Sequence, residues 1–211
     1  MSVRGIRGEA LADVSRETLE RLEIYAGLLR KWQRKINLVS PNTLPDLWAR
    51  HFVDSAQLMR IAPPNPKRWV DLGSGAGFPG LVCAILSVEK QSGTEFVLIE
   101  SDARKCAFLR EVSRQTDTRV TIITTRIETA LPQNADVISA RALAPLTRLI
   151  PWAHRHLTQD GHGLFLKGAQ YKAELEEITG EWHMKMTVVP SATSADAAIL
   201  DLSEIKHVRP S

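Results

Sequence analysis

Apolar positions in the first third of the chain recur every three or four residues. Leu19, Leu22, Ala26, Leu29, Trp32 and Ile36 form one stripe. Ser15 stands where a cap belongs, so the spacing predicts a helix from Ser15 to about Lys35. Asn37-Leu38-Val39-Ser40-Pro41 breaks that helix. A second helix is expected after Asn42 or Thr43, with Pro45 tolerated in its first turn, ending before Pro63-Pro64-Asn65-Pro66. Residues 1–14 read as a loose arm.

From Lys67 onward the period changes. Short apolar runs predict strands at about 68–72, 95–100, 119–124, 136–139 and 162–167. Helical patterns fall between them, at about 78–88 and 102–114, then from Pro145 with Leu146, Leu149, Ile150 and Ala153 inward. A last helix is expected to turn Tyr171, Leu175, Ile178 and Trp182 inward. Strand-helix alternation of this kind argues for βαβ units and a parallel sheet. Two final strands, about 184–190 and 197–203, have no room for a helix between them and should pair antiparallel. The expectation is an α/β fold: a mostly parallel seven-stranded sheet with an antiparallel terminal hairpin and a helical amino-terminal extension. The proline cluster is the expected boundary, giving a helical cap over 1–65 and a ligand-binding domain over 66–211.

Composition narrows the class. A chain of 211 residues with 44% hydrophobic and 24% charged residues suits a globular domain plus an extension. No apolar run approaches the roughly 20 residues that span a bilayer. Met1 to Ala12 lacks a signal peptide's apolar core, so a cytoplasmic location without membrane contact is expected. Cys83 and Cys106 fall on apolar positions of predicted helices, where they would fill core. The six histidines have no zinc-type spacing, and no metal is expected. Net charge is +3, but residues 1–69 carry +5 and the remainder −2. Arg30, Lys31, Arg34 and Lys35 crowd the end of the first helix. This fits either a phosphate-contacting element or a solvated basic face.

The chemistry concentrates in Trp69-Val70-Asp71-Leu72-Gly73-Ser74-Gly75-Ala76-Gly77-Phe78-Pro79-Gly80: a strand end, a glycine-rich turn, a helix start. Such turns cradle nucleotide-like ligands on backbone N–H groups. Residues 75–80 satisfy G-x-G-x-x-G, yet the register is wrong for a dinucleotide. Its first glycine should follow the strand at once; read from Gly73, the third falls on Phe78. The better fit is acidic-x-Gly-x-Gly-x-Gly, which resembles motif I of S-adenosylmethionine-dependent methyltransferases. That motif places Asp71 near the methionine and Gly73, Gly75 and Gly77 beneath it. Glu100 ends the next strand, where a carboxylate accepts from ribose hydroxyls in nicotinamide enzymes and methyltransferases alike. Ile127 would cover an adenine face and Glu128 address its edge. Arg141 and Lys167, at later strand ends, stand where an acceptor would enter. After strand four the chain reads Ser139-Ala140-Arg141-Ala142, neither an amine-methylating Pro-Pro-aromatic motif nor a nucleophilic cysteine. An acceptor that is already nucleophilic, such as guanine N7, needs neither.

Asn37-Leu38-Val39-Ser40, Arg50-His51-Phe52-Val53-Asp54-Ser55, the glycine turn, Ser139-Ala140-Arg141-Ala142 and Leu166-Lys167-Gly168 occur in one order. Together they resemble the bacterial 16S ribosomal RNA guanine-N7 methyltransferase family, also called glucose-inhibited division protein B, over about Leu19 to Leu202. The resemblance implies a Rossmann-like methyltransferase sheet and S-adenosylmethionine held at Gly73, Phe78, Ile127, Glu128 and Arg141. It also implies 16S ribosomal RNA or the small ribosomal subunit as partner. Arg30, Lys31, Arg34, Lys35, Asn37, Arg50 and His51 are the expected RNA contacts, and a monomer is expected. Competing readings are a nicotinamide-dependent oxidoreductase, a small-molecule methyltransferase and a non-catalytic RNA-binding module.

Overall fold

Strands β1 (Arg68–Leu72), β2 (Glu95–Glu100), β3 (Thr121–Thr124), β4 (Ala135–Arg141), β5 (Leu157–Lys167), β6 (Trp182–Pro190) and β7 (Ala198–His207) form one sheet. Their order is β3-β2-β1-β4-β5-β7-β6 in the computed structural model, which describes residue 11 and residues 13–89 and 93–208. β3, β2, β1, β4 and β5 run parallel; β7 is antiparallel to both β5 and β6. This is the expected sheet, terminal hairpin included.

The period-two alternation of side chains distributes each strand between two cores. Trp69, Phe96, Leu98, Val137, Leu164 and Ile199 face the layer made by α1 (Arg16–Gln33), α4 (Gly80–Glu89) and α5 (Ala103–Gln115). Val70, Leu72, Val97, Ile99, Ile138, Phe165 and Leu200 face α6 (Leu146–His156) and the residues around α7 (Tyr171–Glu177). Helix α1 is capped by Ser15, whose Oγ accepts from the Thr18 amide. It buries Leu22, Tyr25, Ala26, Leu28 and Leu29 against α4 and α5. Burying each such leucine contributes about 1.5–3 kcal/mol. The amino-terminal segment therefore shares one apolar core with the sheet's helices instead of having its own.

Four expectations change. Most of the loose arm lies outside the described residues, but Leu11 is 1% exposed and joins the core, and Val14 packs against it. The second helix is broken into a 3-10 turn (Pro41–Thr43), a π turn (Trp48–Val53), α2 (Asp54–Ala56) and α3 (Leu58–Ile61). The wider π turn buries His51, Phe52 and Val53 consecutively, which a regular helix face would not. Helix α4 starts at Gly80, after the cis Phe78–Pro79 peptide, and not at 78. Trp182 is not on a helix: α7 ends before Ile178, and Trp182 opens β6, edge-on to His207 across the hairpin.

Candidate active site

The glycine turn is stitched to β2 along its length. Ser74 N–H donates to Ile99 O at 3.0 Å, and Gly75 N–H to Glu100 Oε2 at 2.8 Å. All three glycines have positive φ, 60°, 55° and 94° for Gly73, Gly75 and Gly77. Their surroundings differ. A Cβ on Gly77 would meet the Tyr25 hydroxyl at 2.5 Å and Leu81 and Leu109 at 3.0 Å. A Cβ on Gly75 would meet only Gly73 O, at 3.8 Å, in otherwise open space. Gly77 thus admits helix α1, while Gly75 opens a cradle. Tyr25 completes the support: its hydroxyl donates to Ala76 O, and its ring stacks on Phe78 at 5.2 Å between centroids.

Asp71 is not where the motif suggested. Two residues on from Trp69, it points to the α4 side, packed under Gly80 and 0% exposed. Oδ1 accepts from Ser139 Oγ at 2.6 Å, and Ser139 Oγ in turn accepts from Trp69 Nε1 at 2.9 Å. Oδ2 has no hydrogen-bond partner among the described residues; the Ser74 hydroxyl and the Gly80 amide beside the carboxylate favour its charged form. Burial raises the Asp71 pKa to about 6, outweighing the Ser139 bond. Neither Asp71 nor Gly77 reaches the cleft wall.

That cleft, of about 1170 Å³, runs along the carboxyl ends of the strands. Sites for single small ligands measure roughly 300–1,000 Å³, so there is space for more than one. Gly73, Gly75, Phe78, Glu100, Ile127 and Glu128 line one end. Glu100 spends one lone pair per oxygen on backbone, Oε2 on Gly75 and Oε1 on Asp102 N–H at 2.8 Å, leaving further acceptor capacity. Ile127 is buried, its carbonyl facing His156 Nε2 at 3.2 Å. Glu128 is exposed and paired with Arg148 at 3.2 Å.

The two cations expected to meet an acceptor are both engaged with protein. Arg141 Nη1 donates to Arg50 O at 2.7 Å, and Nη2 to His51 Nδ1 at 2.5 Å. Asp54 Oδ2 lies 3.6 Å from Nη1, and the guanidinium sits 5.0 Å over Phe78. Arg141 is therefore a strut between β4 and the amino-terminal segment. Lys167 Nζ pairs with Glu174 at 2.5 Å and donates to Ala144 O at 3.1 Å, tying β5 to α7. His51 completes a relay. With Nδ1 accepting from Arg141, Nε2–H donates to Thr43 Oγ1 at 2.8 Å, which donates to Ser40 O at 2.7 Å. Burial, then the charges of Arg141 and Arg50, depress the His51 pKa to about 3, so the ring is neutral.

Arg50 lines the cleft with an exposed side chain. Arg30, Lys31, Arg34 and Lys35 lie at the end of α1 and do not line it. Asn37 accepts from Gln33 Nε2 at 3.4 Å and leads into Leu38 and Val39, which do. Sequence reading missed Tyr25 beneath the glycine turn, and Asp54 and the Ser191–Ala198 turn on the cleft wall. Only Asp54 carried a signal, through the Arg50-to-Ser55 block.

This sheet order, with a glycine turn after the first strand and a carboxylate closing the second, is the Rossmann-like methyltransferase fold. A methyltransferase from Geobacter sulfurreducens superposes with TM-score 0.57 at 16% identity, over 88% of this chain and 89% of that one. The ribosomal protein L11 methylase of Lactobacillus delbrueckii subsp. bulgaricus gives 0.58 at 16%, over 73% and 78%. The family can be stated more narrowly. The model of the GidB family, described as rRNA small subunit methyltransferase G, matches residues 18–202, and the chain belongs to that family. Its relatives include the ribosomal RNA small subunit methyltransferase G of Paramagnetospirillum magneticum, 53% identical over 93% of both chains. That of Gluconobacter oxydans is 52% identical over 94% of this chain and all of its own. Membership sets aside the oxidoreductase reading.

Proposed function

We propose that this chain transfers a methyl group from S-adenosylmethionine to N7 of a guanine in 16S ribosomal RNA. The observation that carries the reading is the open cradle at Gly75 beside Glu100, within a cleft large enough for a cofactor and a nucleotide. Gly73, Gly75 and Phe78 would hold the cofactor's amino-acid half, Glu100 the ribose hydroxyls, and Ile127 with Glu128 the adenine. Bound there, the cofactor supplies a methyl group activated by a sulfonium.

The chain's own contribution is orientation. Guanine N7 carries a lone pair and no proton, so no group need remove one. The lining agrees with that requirement. His51 uses both ring nitrogens, Asp54 is held by Arg141 and the β6–β7 turn, and Glu174 is held by Lys167. These groups fix geometry instead of shuttling protons. Alignment of nucleophile, methyl and leaving group supplies about 7–11 kcal/mol in favourable cases. Arg50 and the basic end of α1 would meet phosphates of the RNA, with the small subunit or its RNA as partner.

The test is incubation with methyl-labelled cofactor and small-subunit RNA that lacks the modification, followed by mapping. One labelled guanine, with depurination chemistry diagnostic of N7, is expected. Label on another base, or on protein alone, would contradict the reading.

A further inference from the structure

We propose that Asp54 is a positioning residue for methyl transfer: with one carboxylate it sets both the β6–β7 turn and the Arg141 guanidinium on the acceptor side of the cleft. The inference rests on the methyltransferase reading above and goes beyond it. Strand order supplies the frame. β1 and β2 carry the cofactor end; β4, β5 and β7 lie on the other side, and Ala198 pairs with Lys167. The turn preceding Ala198 therefore stands at the cleft edge beyond β5, and Ser191, Thr193 and Ser194 line it.

That turn reads Ser191-Ala192-Thr193-Ser194-Ala195-Asp196-Ala197. Residues this small bury little apolar surface, so packing alone sets its position weakly. Polar anchors set it instead, and they come from the amino-terminal segment. Asp54 Oδ1 accepts from Thr193 Oγ1 at 2.7 Å, Ser191 Oγ at 3.3 Å and Gln57 Nε2 at 3.1 Å. Gln57 Oε1 accepts from the Ala192 amide at 2.7 Å. The other oxygen, Asp54 Oδ2, faces Arg141 at 3.6 Å, and both side chains are 16% exposed. Hydrogen bonds to a charged, largely buried acceptor are the stronger kind. Asp54 thus joins β4, the turn and the amino-terminal segment at one point, so the acceptor wall and Arg141 move together or not at all.

Four variants separate these arms. Gln57→Leu removes the Ala192 anchor, and Thr193→Val removes a hydroxyl at constant shape. Thr193→Ser keeps the hydroxyl, and Asp54→Asn weakens the Arg141 contact. Four readouts are taken: hydrogen exchange of the Ala192 amide, S-adenosylhomocysteine affinity, kcat/KM on unmodified small-subunit RNA, and the melting temperature. Gln57→Leu and Thr193→Val are expected to speed Ala192 exchange about tenfold and lower kcat/KM about tenfold. Cofactor-product affinity should stay within about twofold and the melting temperature within about 3 °C. Thr193→Ser should restore both rates, while Asp54→Asn should lower kcat/KM with slower exchange than Gln57→Leu. Unchanged Ala192 exchange in Gln57→Leu and Thr193→Val, or faster exchange there with wild-type kcat/KM, would overturn the proposal. A wild-type protein inert on RNA would instead sink the methyltransferase reading, and unchanged exchange would still refute the clamp.

Discussion

Two glycines two residues apart should fail in different ways when given a methyl group. At Gly77 the added Cβ sits 2.5 Å from the Tyr25 hydroxyl and 3.0 Å from Leu81 and Leu109, all fixed by packing. Overpacking of this kind costs about 1–3 kcal/mol. Holding an L-residue at φ 94° adds about 1–2 kcal/mol. Gly77→Ala should therefore lose about 2–5 kcal/mol, a large part of a typical domain's 5–15 kcal/mol. At Gly75 only the conformational cost of roughly 1–2 kcal/mol applies, because the nearest atom is Gly73 O at 3.8 Å. The methyl group would instead occupy the cradle. Urea unfolding and calorimetric titration with S-adenosylhomocysteine separate the two effects. Gly77→Ala should unfold at much lower urea yet bind at near wild-type affinity while folded. Gly75→Ala should keep most of its stability and lose at least about tenfold in affinity, and Gly75→Val more. Equal midpoints for the two alanine variants, or a wild-type titration for Gly75→Ala, would refute the assignment of roles.

Asp71 makes a pH prediction. Its folded pKa of about 6 exceeds the unfolded value of 3.8, so the native state holds a proton that the unfolded chain releases between those values. Stability is therefore highest below pH 3.8 as far as this group is concerned, and falls as pH rises to 6, by on the order of 2–3 kcal/mol. Asp71→Asn, which still accepts from Ser139, should flatten that limb in denaturation curves run from pH 4 to 7; an unaltered slope would count against a buried, strained carboxylate. His51 acts oppositely: its depressed folded pKa, about 3 against 6.5, makes stability drop as pH falls through that window. Replacing His51 by Gln should reduce that acid loss in thermal melts. Reversing the charges of Arg30, Lys31, Arg34 and Lys35 should weaken RNA binding and flatten its dependence on log salt, by up to about 0.7–0.9 for each phosphate no longer neutralised. An unchanged slope would make that patch a solvated face.

The strand pattern, the glycine turn and Glu100 were legible because each rests on local rules: period, positive φ, and the chemistry of a strand end. The terminal hairpin was legible from the short run of small residues between its strands. Direction and pairing were not. Asp71 points away from the cleft because Gly80 and α4 receive it, which depends on parity along β1 and on a partner helix. Arg141 looked like a free cation because its partners, Arg50, His51 and Asp54, lie about ninety residues earlier. Lys167 likewise had Glu174 waiting on the next helix. The broken segment 41–61 defeated helical periodicity because its π turn buries consecutive residues for the sake of Phe52 against Tyr25 and Phe78. Trp182 sat at helical spacing from Ile178 only by coincidence of a short turn.

The account turns on where the nucleoside sits. A crystal structure with S-adenosylhomocysteine should show its amino-acid portion passing over Gly75, its ribose hydroxyls on Glu100 and its adenine against Ile127. Asp71 should remain beneath the turn, bonded to Ser139. A molecule bound elsewhere, or one that must expel the Glu100 carboxylate from the Gly75 amide to enter, would contradict it.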